Sequence, residues 1–253
     1  MCVAAIAWDT HPDWLLVAIG NRDEFHARPS APLARWEDGS GIIAGTDLTG
    51  GGTWLGVTEA QGGEGSRFAL VTNYRVPEGA QPGRPSRGKL VTDLLVGTSP
   101  GELGGEMARM NPFNLILADG GRASFLTNYP EVETRTLSPG IHGLSNGGFD
   151  VPWPKTLQVG QAITDWCARG ETDFEPLLAA LRDEKPAPNP ALPEFGPEPR
   201  FAPVFIRNET YGTRCSTVIA VDRQGRGTII ERSFDTLGGN SGEVGIEFVW
   251  PLT

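Results

Sequence analysis

Apolar residues along this chain come in short blocks bounded by turn formers rather than in long helical stripes. Blocks at 2–8, 14–21, 41–44, 53–59, 66–73, 113–118, 123–128, 140–144, 214–222, 227–233 and 245–250 have the length and borders of strands. Asp119-Gly120-Gly121-Arg122 and Asp222-Arg223-Gln224-Gly225 separate neighbouring blocks by tight turns, which predicts antiparallel hairpins. Helical periodicity appears at 87–96, 100–109, 154–169 and 172–183. Pro154 opens the third of these, where its missing N–H costs nothing, and Gly170 stands at its C-terminal capping position. Hairpin runs interrupted by paired helices predict an α+β chain, with sheets carrying helices on the outside.

Two stretches break the pattern. The segment 185–203 is Pro-rich and excludes a regular helix or a central strand. Strand 214–222 is expected to return to the same sheet system, so 185–203 reads as a long wrapping loop or lid. The segment 76–89 is a second long loop and a candidate mobile element. At 253 residues there is ample chain for a buried core in one large domain or two small ones. A single domain over 1–253 is the expectation.

Composition narrows the function classes. A hydrophobic content of 39% and a mean hydropathy of −0.22 are those of an ordinary water-soluble protein. The net charge of −10 gives no electrostatic reason to bind nucleic acid or anionic membranes. No stretch approaches the roughly 18 apolar residues of a spanning helix. The first residues lack a basic region, and their apolar run breaks at Asp9, so no signal peptide is expected and a cytoplasmic location is. The sequon at Asn208-Glu209-Thr210 then carries no meaning. Three cysteines, Cys2, Cys167 and Cys215, are too few and too odd for a disulfide framework and fit a reducing compartment. Cys167 and Cys215 read as core residues.

Cys2 is different because of what lies opposite it. Blocks 2–8 and 14–21 flank the turn Thr10-His11-Pro12-Asp13, and pairing centred near residue 12 makes partner numbers sum to about 24. Cys2 then faces the Arg22 region, beside Asp23. A thiol is a good nucleophile when a base and a charge partner attend it. Removal of Met1 would give Cys2 a free α-amine, whose pKa of about 7.7–8 suits a base near neutral pH. A retained Met1 would block it. The spacing is met equally well by a small strand-opening residue and a charged strand end.

A series of motifs then runs along the chain: Asn21-Arg22-Asp23-Glu24-Phe25, Arg28-Pro29, Ala44-Gly45-Thr46-Asp47, Gly51-Gly52-Thr53-Trp54-Leu55-Gly56, Thr72-Asn73-Tyr74-Arg75, Asn111-Pro112-Phe113-Asn114, Gly143-Leu144-Ser145-Asn146, Pro152-Trp153-Pro154-Lys155 and Tyr211-Gly212-Thr213-Arg214. In this order they resemble the NRDE family, also called the transport and Golgi organization protein 2 family. More distantly they resemble N-terminal-nucleophile hydrolases of the choloylglycine and penicillin-V acylase type. That resemblance implies an αββα sandwich, two mostly antiparallel sheets between helical layers. It implies Cys2 as nucleophile, Asp23 orienting the amine or thiol, Arg22 and Arg214 as electrostatic support, and Asn73 and Asn146 as oxyanion donors. Asn21, Glu24, Trp54, Tyr74 and Arg75, within the same motifs, are the expected substrate-binding residues. The alternative for these strand-end residues is that each Asn caps a turn and Arg214 pairs a surface carboxylate.

Other motifs carry less. Gly143-Leu144-Ser145-Asn146-Gly147 fits the serine-hydrolase elbow, but that fold needs its histidine downstream, and His11, His26 and His142 all lie upstream. The glycine run 50–56 lacks a phosphate-loop lysine and the dinucleotide spacing; it reads as a turn with Trp54 on a pocket wall. Three scattered histidines do not make a metal site. The expected function is hydrolysis or acyl transfer at a non-peptide amide or thioester, with a small-molecule substrate and no cofactor. The rival is a non-catalytic carrier of haem or of acyl-coenzyme A and lipid metabolites, the family being associated with haem mobilisation; one histidine would then serve as haem ligand.

Overall fold

Every apolar block expected to be a strand is one. The computed structural model describes residues 2–59, 65–185 and 201–251. In chain order the elements are β1 (Cys2–Trp8), β2 (Trp14–Phe25), β3 (Ser30–Arg35), β4 (Ile42–Asp47), β5 (Leu55–Thr58), β6 (Arg67–Asn73), α1 (Arg87–Leu95), α2 (Pro100–Met107), β7 (Phe113–Asp119), β8 (Arg122–Thr127), β9 (Glu133–Thr136), β10 (Gly140–Leu144), α3 (Pro154–Arg169), α4 (Glu175–Ala180), β11 (Tyr211–Asp222), β12 (Arg226–Phe234) and β13 (Asn240–Val249). The protein is α+β, with two large antiparallel sheets and few helices. The chain divides into two compact units: Met1–Ala27 with Pro139–Glu247, and Arg28–Ser138 with Phe248–Thr253.

The first unit is built on the sheet β10-β1-β2-β11-β12-β13. Its first hairpin has the register that the turn predicts: Cys2 pairs Arg22, Val3 pairs Asn21, and Trp8 pairs Leu16. β1 is buried at every position. On one face Val3, Ala5 and Ala7 of β1, Val17 and Ile19 of β2, and Val218 and Ala220 of β11 pack against Val159, Ile163 and Trp166 of α3 and Leu177 and Leu178 of α4. Alanines on β1 keep that face low, so the helix sits close. Pro154 is in the first helical turn, and Gly170 ends α3 at φ +62°, the left-handed geometry that glycine tolerates best.

The second unit is built on the sheet β3-β4-β5-β6-β7-β8-β9. Ile42, Ala69, Val71, Leu115 and Leu117 form one face, covered by Leu90, Val91, Leu94 and Leu95 of α1 and Leu103 and Met107 of α2. Ser86 accepts from the Lys89 N–H at the start of α1, and Ser99 and Glu102 form a capping box on α2. Part of segment 76–89 is therefore helical, and the rest is tied down: Gln81 exchanges hydrogen bonds with Asn111, and Arg84 Nη1 donates to the Met110 carbonyl. Of the other long loop, residues 186–200 of segment 185–203 lie outside the described residues. Among the described residues no helix is long and apolar enough to cross a membrane.

Candidate active site

Strand alternation sorts the Asn21-Arg22-Asp23-Glu24 motif onto two faces of β2. Asn21 and Asp23 share the face of Val17 and Ile19, under the helices. Arg22 and Glu24 share the other. All of the first three are buried.

Asn21 is fully engaged by the fold. Its Nδ2 donates to the carbonyls of Leu181 and Val204, at 2.8 and 2.9 Å, and its Oδ1 accepts from Ser216 Oγ at 2.6 Å. It is an internal strut, and its amide is not presented to a substrate. Asp23 is 2% exposed. Its Oδ1 accepts from Thr213 Oγ1 at 2.7 Å, and its backbone carbonyl accepts from the Tyr211 hydroxyl at 2.8 Å. Burial pushes its carboxyl above the ordinary range, opposed by the charge of Lys155, the Thr213 hydrogen bond and the charge of Arg22. Glu24 lies 3.9 Å from Arg22 and accepts from the Phe25 N–H.

Cys2 is 8% exposed. Burial raises its thiol pKa, and the Asp23 charge adds to that; a hydrogen bond from the Asp23 N–H and the Arg22 charge oppose it. Arg22 lies between two thiols, because Cys2 on β1 and Cys215 on β11 both pair with it. Cys215 is the less available, being pushed well up by burial and by Glu231. Ser145, the serine of the rejected elbow, donates its hydroxyl to the Cys2 carbonyl at 2.9 Å and so fixes the strand that carries the thiol. Asn146 follows it and is buried.

The residue that sequence reasoning missed is Lys155. It is in the first turn of α3 and is fully buried, and its Nζ has no hydrogen-bond partner. Burial lowers its pKa, while the charges of Asp23 and Cys2 raise it. Its motif brings it there by close packing. A Cβ on Gly143 would stand 2.2 Å from Thr156 Cγ2, and one on Gly147 would stand 2.8 Å from the Trp153 ring. These two glycines let the start of α3 lie directly on β10. The clue in the sequence was spacing: Lys155, Val159, Ile163 and Trp166 recur every three to four residues, the period of a buried helical face.

Lys155 also predicts a pH dependence. Its folded pKa lies below 10.5, so between the two values the unfolded chain holds more protons and stability rises with pH. Lys155→Met should lose that rise. Urea unfolding of both proteins across alkaline pH checks it, the wild-type minus variant difference growing as pH approaches the unfolded value.

Arg214 stands at a break in the pairing of β11 with β2. A bulge between Thr213 and Cys215 turns it out of register. Its Nη1 donates to His26 Nδ1 at 3.1 Å, which assigns the Nε2–H tautomer, since His26 Nε2 is 3.0 Å from the Asn208 carbonyl. The groups bearing on Asp23 are instead Lys155, Thr213 and Arg22. Asn73, Trp54, Tyr74 and Arg75 belong to the second unit. Asn73 is exposed at the end of β6. Trp54 packs half-buried on the core under α1. The Tyr74 ring lies 4.7 Å from that of Tyr129, and Arg75 is exposed. No group of three or more His, Cys, Asp or Glu among the described residues is arranged to hold a metal.

Comparison with known proteins agrees with the motif order. A sequence model of the family described as Transport and Golgi organisation 2 matches residues 1–236. The Transport and Golgi organization protein 2 homolog of Bos taurus is 33% identical over 262 residues, covering 92% of this chain and 93% of that protein. The Mus musculus homolog is 32% identical with the same coverage. Transport and Golgi organization protein 2 of Drosophila melanogaster is 26% identical over 270 residues, 94% of this chain and 93% of its own. The chain therefore belongs to the Transport and Golgi organisation 2 family.

Proposed function

We propose that this protein is a cysteine hydrolase or acyltransferase for a non-peptide amide or thioester, with Cys2 as its nucleophile and an N-terminal-nucleophile-like αββα fold. The observation that carries the reading is the environment of Cys2. Its thiol accepts a hydrogen bond from the Asp23 N–H, Arg22 lies across the hairpin, and the Asp23 carboxylate is held by Thr213. Buried charged groups are costly, and they gather at sites that do chemistry.

The reaction runs as two acyl transfers. The Cys2 sulfur bonds to the substrate carbonyl carbon, and the bond to the leaving amine or thiol breaks. Water then cleaves the acyl-cysteine and frees the acid. In protein without Met1 the Cys2 α-amine takes the thiol proton, and Asp23 orients that amine. Asn146 is the candidate donor to the oxyanion within the first unit. The relatives' names speak of transport and Golgi organization; hydrolysis or acyl exchange of a lipid or coenzyme A metabolite fits a role in membrane supply.

Cys2→Ala tests the reading. Acyl-amide and acyl-thioester turnover by protein shown by intact mass to lack Met1 should fall by orders of magnitude, because the chemical step itself is removed. The fold should persist, since the change removes one sulfur at a strand end. Saturable haem binding with no turnover of any acyl substrate would replace this reading with the carrier, and His11, His26 and His142 would then be tested in turn as ligands.

A further inference from the structure

We propose that β9 is a self-pairing edge: two copies of this chain join antiparallel along it, in a single register centred on Thr134. The proposal stands apart from the chemistry of Cys2 and concerns the second unit alone.

β9 ends the second sheet, with β8 on one side and no strand on the other among the described residues. All four of its residues, Glu133, Thr134, Arg135 and Thr136, are exposed. Its ladder shows which backbone groups reach the open side. β8 and β9 pair without a break in register, Phe125 opposite Arg135 and Thr127 opposite Glu133. In the same register the Leu137 N–H donates to the Ala123 carbonyl at 2.8 Å. In an antiparallel ladder alternate residues turn both backbone groups to the same neighbour. Leu137, Arg135 and Glu133 therefore face β8, and Thr134 and Thr136 hold their N–H and C=O outward. An open edge of this kind is a template for another strand.

The charges on β9 select the register. Two identical strands pair antiparallel about a two-fold axis, so the residue at the centre names the register. Outward groups must meet outward groups, which sets even-numbered residues opposite even-numbered ones. Centring on Glu133 then sets that carboxylate against its own copy, and centring on Arg135 does the same to the guanidinium. Centring on Thr136 carries Glu133 past the end of the second strand. Centring on Thr134 sets Glu133 against Arg135 of the second copy, twice. These are the non-hydrogen-bonded positions of the new pair, where side chains approach closest. Opposite charges directly across strands attract, and Thr134 meets its own copy at the axis, where facing threonines hydrogen-bond. The side chains are already placed for this. Glu133 and Arg135 share the face of Phe125, and the Arg135 guanidinium carbon stands 4.8 Å from that ring's centroid. Arg135 Nε lies 4.0 Å from Glu133 Oε1, with both side chains about half exposed.

The other sheet edges are not suited to this. β10 is covered by its own loop: the Asp150 N–H donates to the Gly143 carbonyl at 3.2 Å, and the Gly143 N–H donates to Asp150 Oδ1 at 2.7 Å. β3 holds Pro32, which has no N–H to give, at a break in its register. The charges on β13 are all acidic, Glu243 and Glu247. β9 has neither the proline nor the lysine that commonly guards an edge. Val132 and Tyr129, both exposed, add apolar surface beside it. So short a strand falls below the roughly 1,200–2,000 Å² that a stable interface buries. The dimer is therefore weak and forms as concentration rises.

Sedimentation equilibrium of the full chain, from low micromolar to near millimolar concentration, tests the pairing. Wild type should show a monomer–dimer equilibrium. Thr134→Pro should abolish it. The Thr134 N–H serves no ladder within the chain, so the fold persists, while the central bonds of the dimer are lost. Glu133→Arg and Arg135→Glu should each weaken self-association by at least about tenfold, because each sets like charges across both pairs. An equimolar mixture of these two variants should associate at least as tightly as wild type, since each chain meets the opposite charge on the other. The double variant Glu133→Arg/Arg135→Glu should regain the wild-type equilibrium in the same register. The mixture is the arm that a folding defect cannot imitate, because neither chain gains by it alone. Wild type that stays monomeric throughout overturns the proposal. So does a dimer that survives Thr134→Pro, which puts the interface elsewhere, and so does a mixture no tighter than its components, which removes the register.

Discussion

Gly143→Ala is expected to lift the start of α3 off β10 and destabilise the first unit. The added methyl would stand 2.2 Å from Thr156 Cγ2, well inside van der Waals contact, and neither partner has room to give. Thr156 is on a helix whose face is pinned by Val159, Ile163 and Trp166, and Gly143 is in the strand that pairs β1. Overpacking of this kind costs about 1–3 kcal/mol and moves backbone. Thr156→Ser removes the clashing methyl. The double variant Gly143→Ala/Thr156→Ser should regain most of the stability, a coupling of about 1–3 kcal/mol in a double-mutant cycle. Thermal unfolding of the same four proteins measures it. Additive losses would mean that Gly143 and Thr156 do not meet between β10 and α3.

The parts of this fold that were legible in the sequence are those governed by period and turn. The first hairpin has the predicted register because Pro12 and Asp13 fix the turn and the paired stretches are apolar up to Gly20. Two strands were not foreseen, β3 and β9, and they are the two edges of the second sheet. β9 is exposed at all four positions, Glu133, Thr134, Arg135 and Thr136, so no hydrophobic alternation marks it. Edge strands are commonly polar for the same reason that they are hard to read: exposed hydrophobic edges invite aggregation. The start of helix 172–183 was also misplaced. Residues 171–174 form an approach in which the Asp173 carbonyl accepts from Trp166 Nε1, and α4 begins only at Glu175.

The site was half legible. Cys2, Arg22 and Asp23 could be placed together by hairpin arithmetic, because pairing brings residues distant in sequence to known partners. Arg214 could not, because a bulge shifts the register by a residue and no pattern in Tyr211-Gly212-Thr213-Arg214 announces it. Thr213, not Arg214, reaches Asp23. Lys155 was overlooked because a lysine in a helix usually faces water. The misreading came from residue type, while the spacing already placed it on the buried face.

Asn21→Ala is expected to unfold the protein more readily while leaving the pH profile of Cys2 alkylation in the folded state unchanged. The amide of Asn21 joins β2 to two carbonyls, of Leu181 and Val204, and to the hydroxyl of Ser216, all in the interior. Alanine leaves three buried polar groups without that partner. A buried group so orphaned costs about 1–3 kcal/mol, and several lost together are not additive, so roughly 3 kcal/mol or more is the expected loss. That lowers Tm by about 6–12 °C at this chain length. Asp23 is two residues away on the same face, yet it bears on the thiol and on Lys155. Asp23→Asn should therefore do the reverse, moving the alkylation profile while the amide keeps the Thr213 hydrogen bond and most of the stability. The contrast follows from one strand: alternate residues of β2 face the same helices, but Asn21 holds backbone carbonyls there and Asp23 holds a buried charge beside the Thr213 hydroxyl. Denaturant melts and Cys2 labelling of the two variants separate the roles. A shifted Cys2 profile in folded Asn21→Ala would put Asn21 inside the chemistry after all.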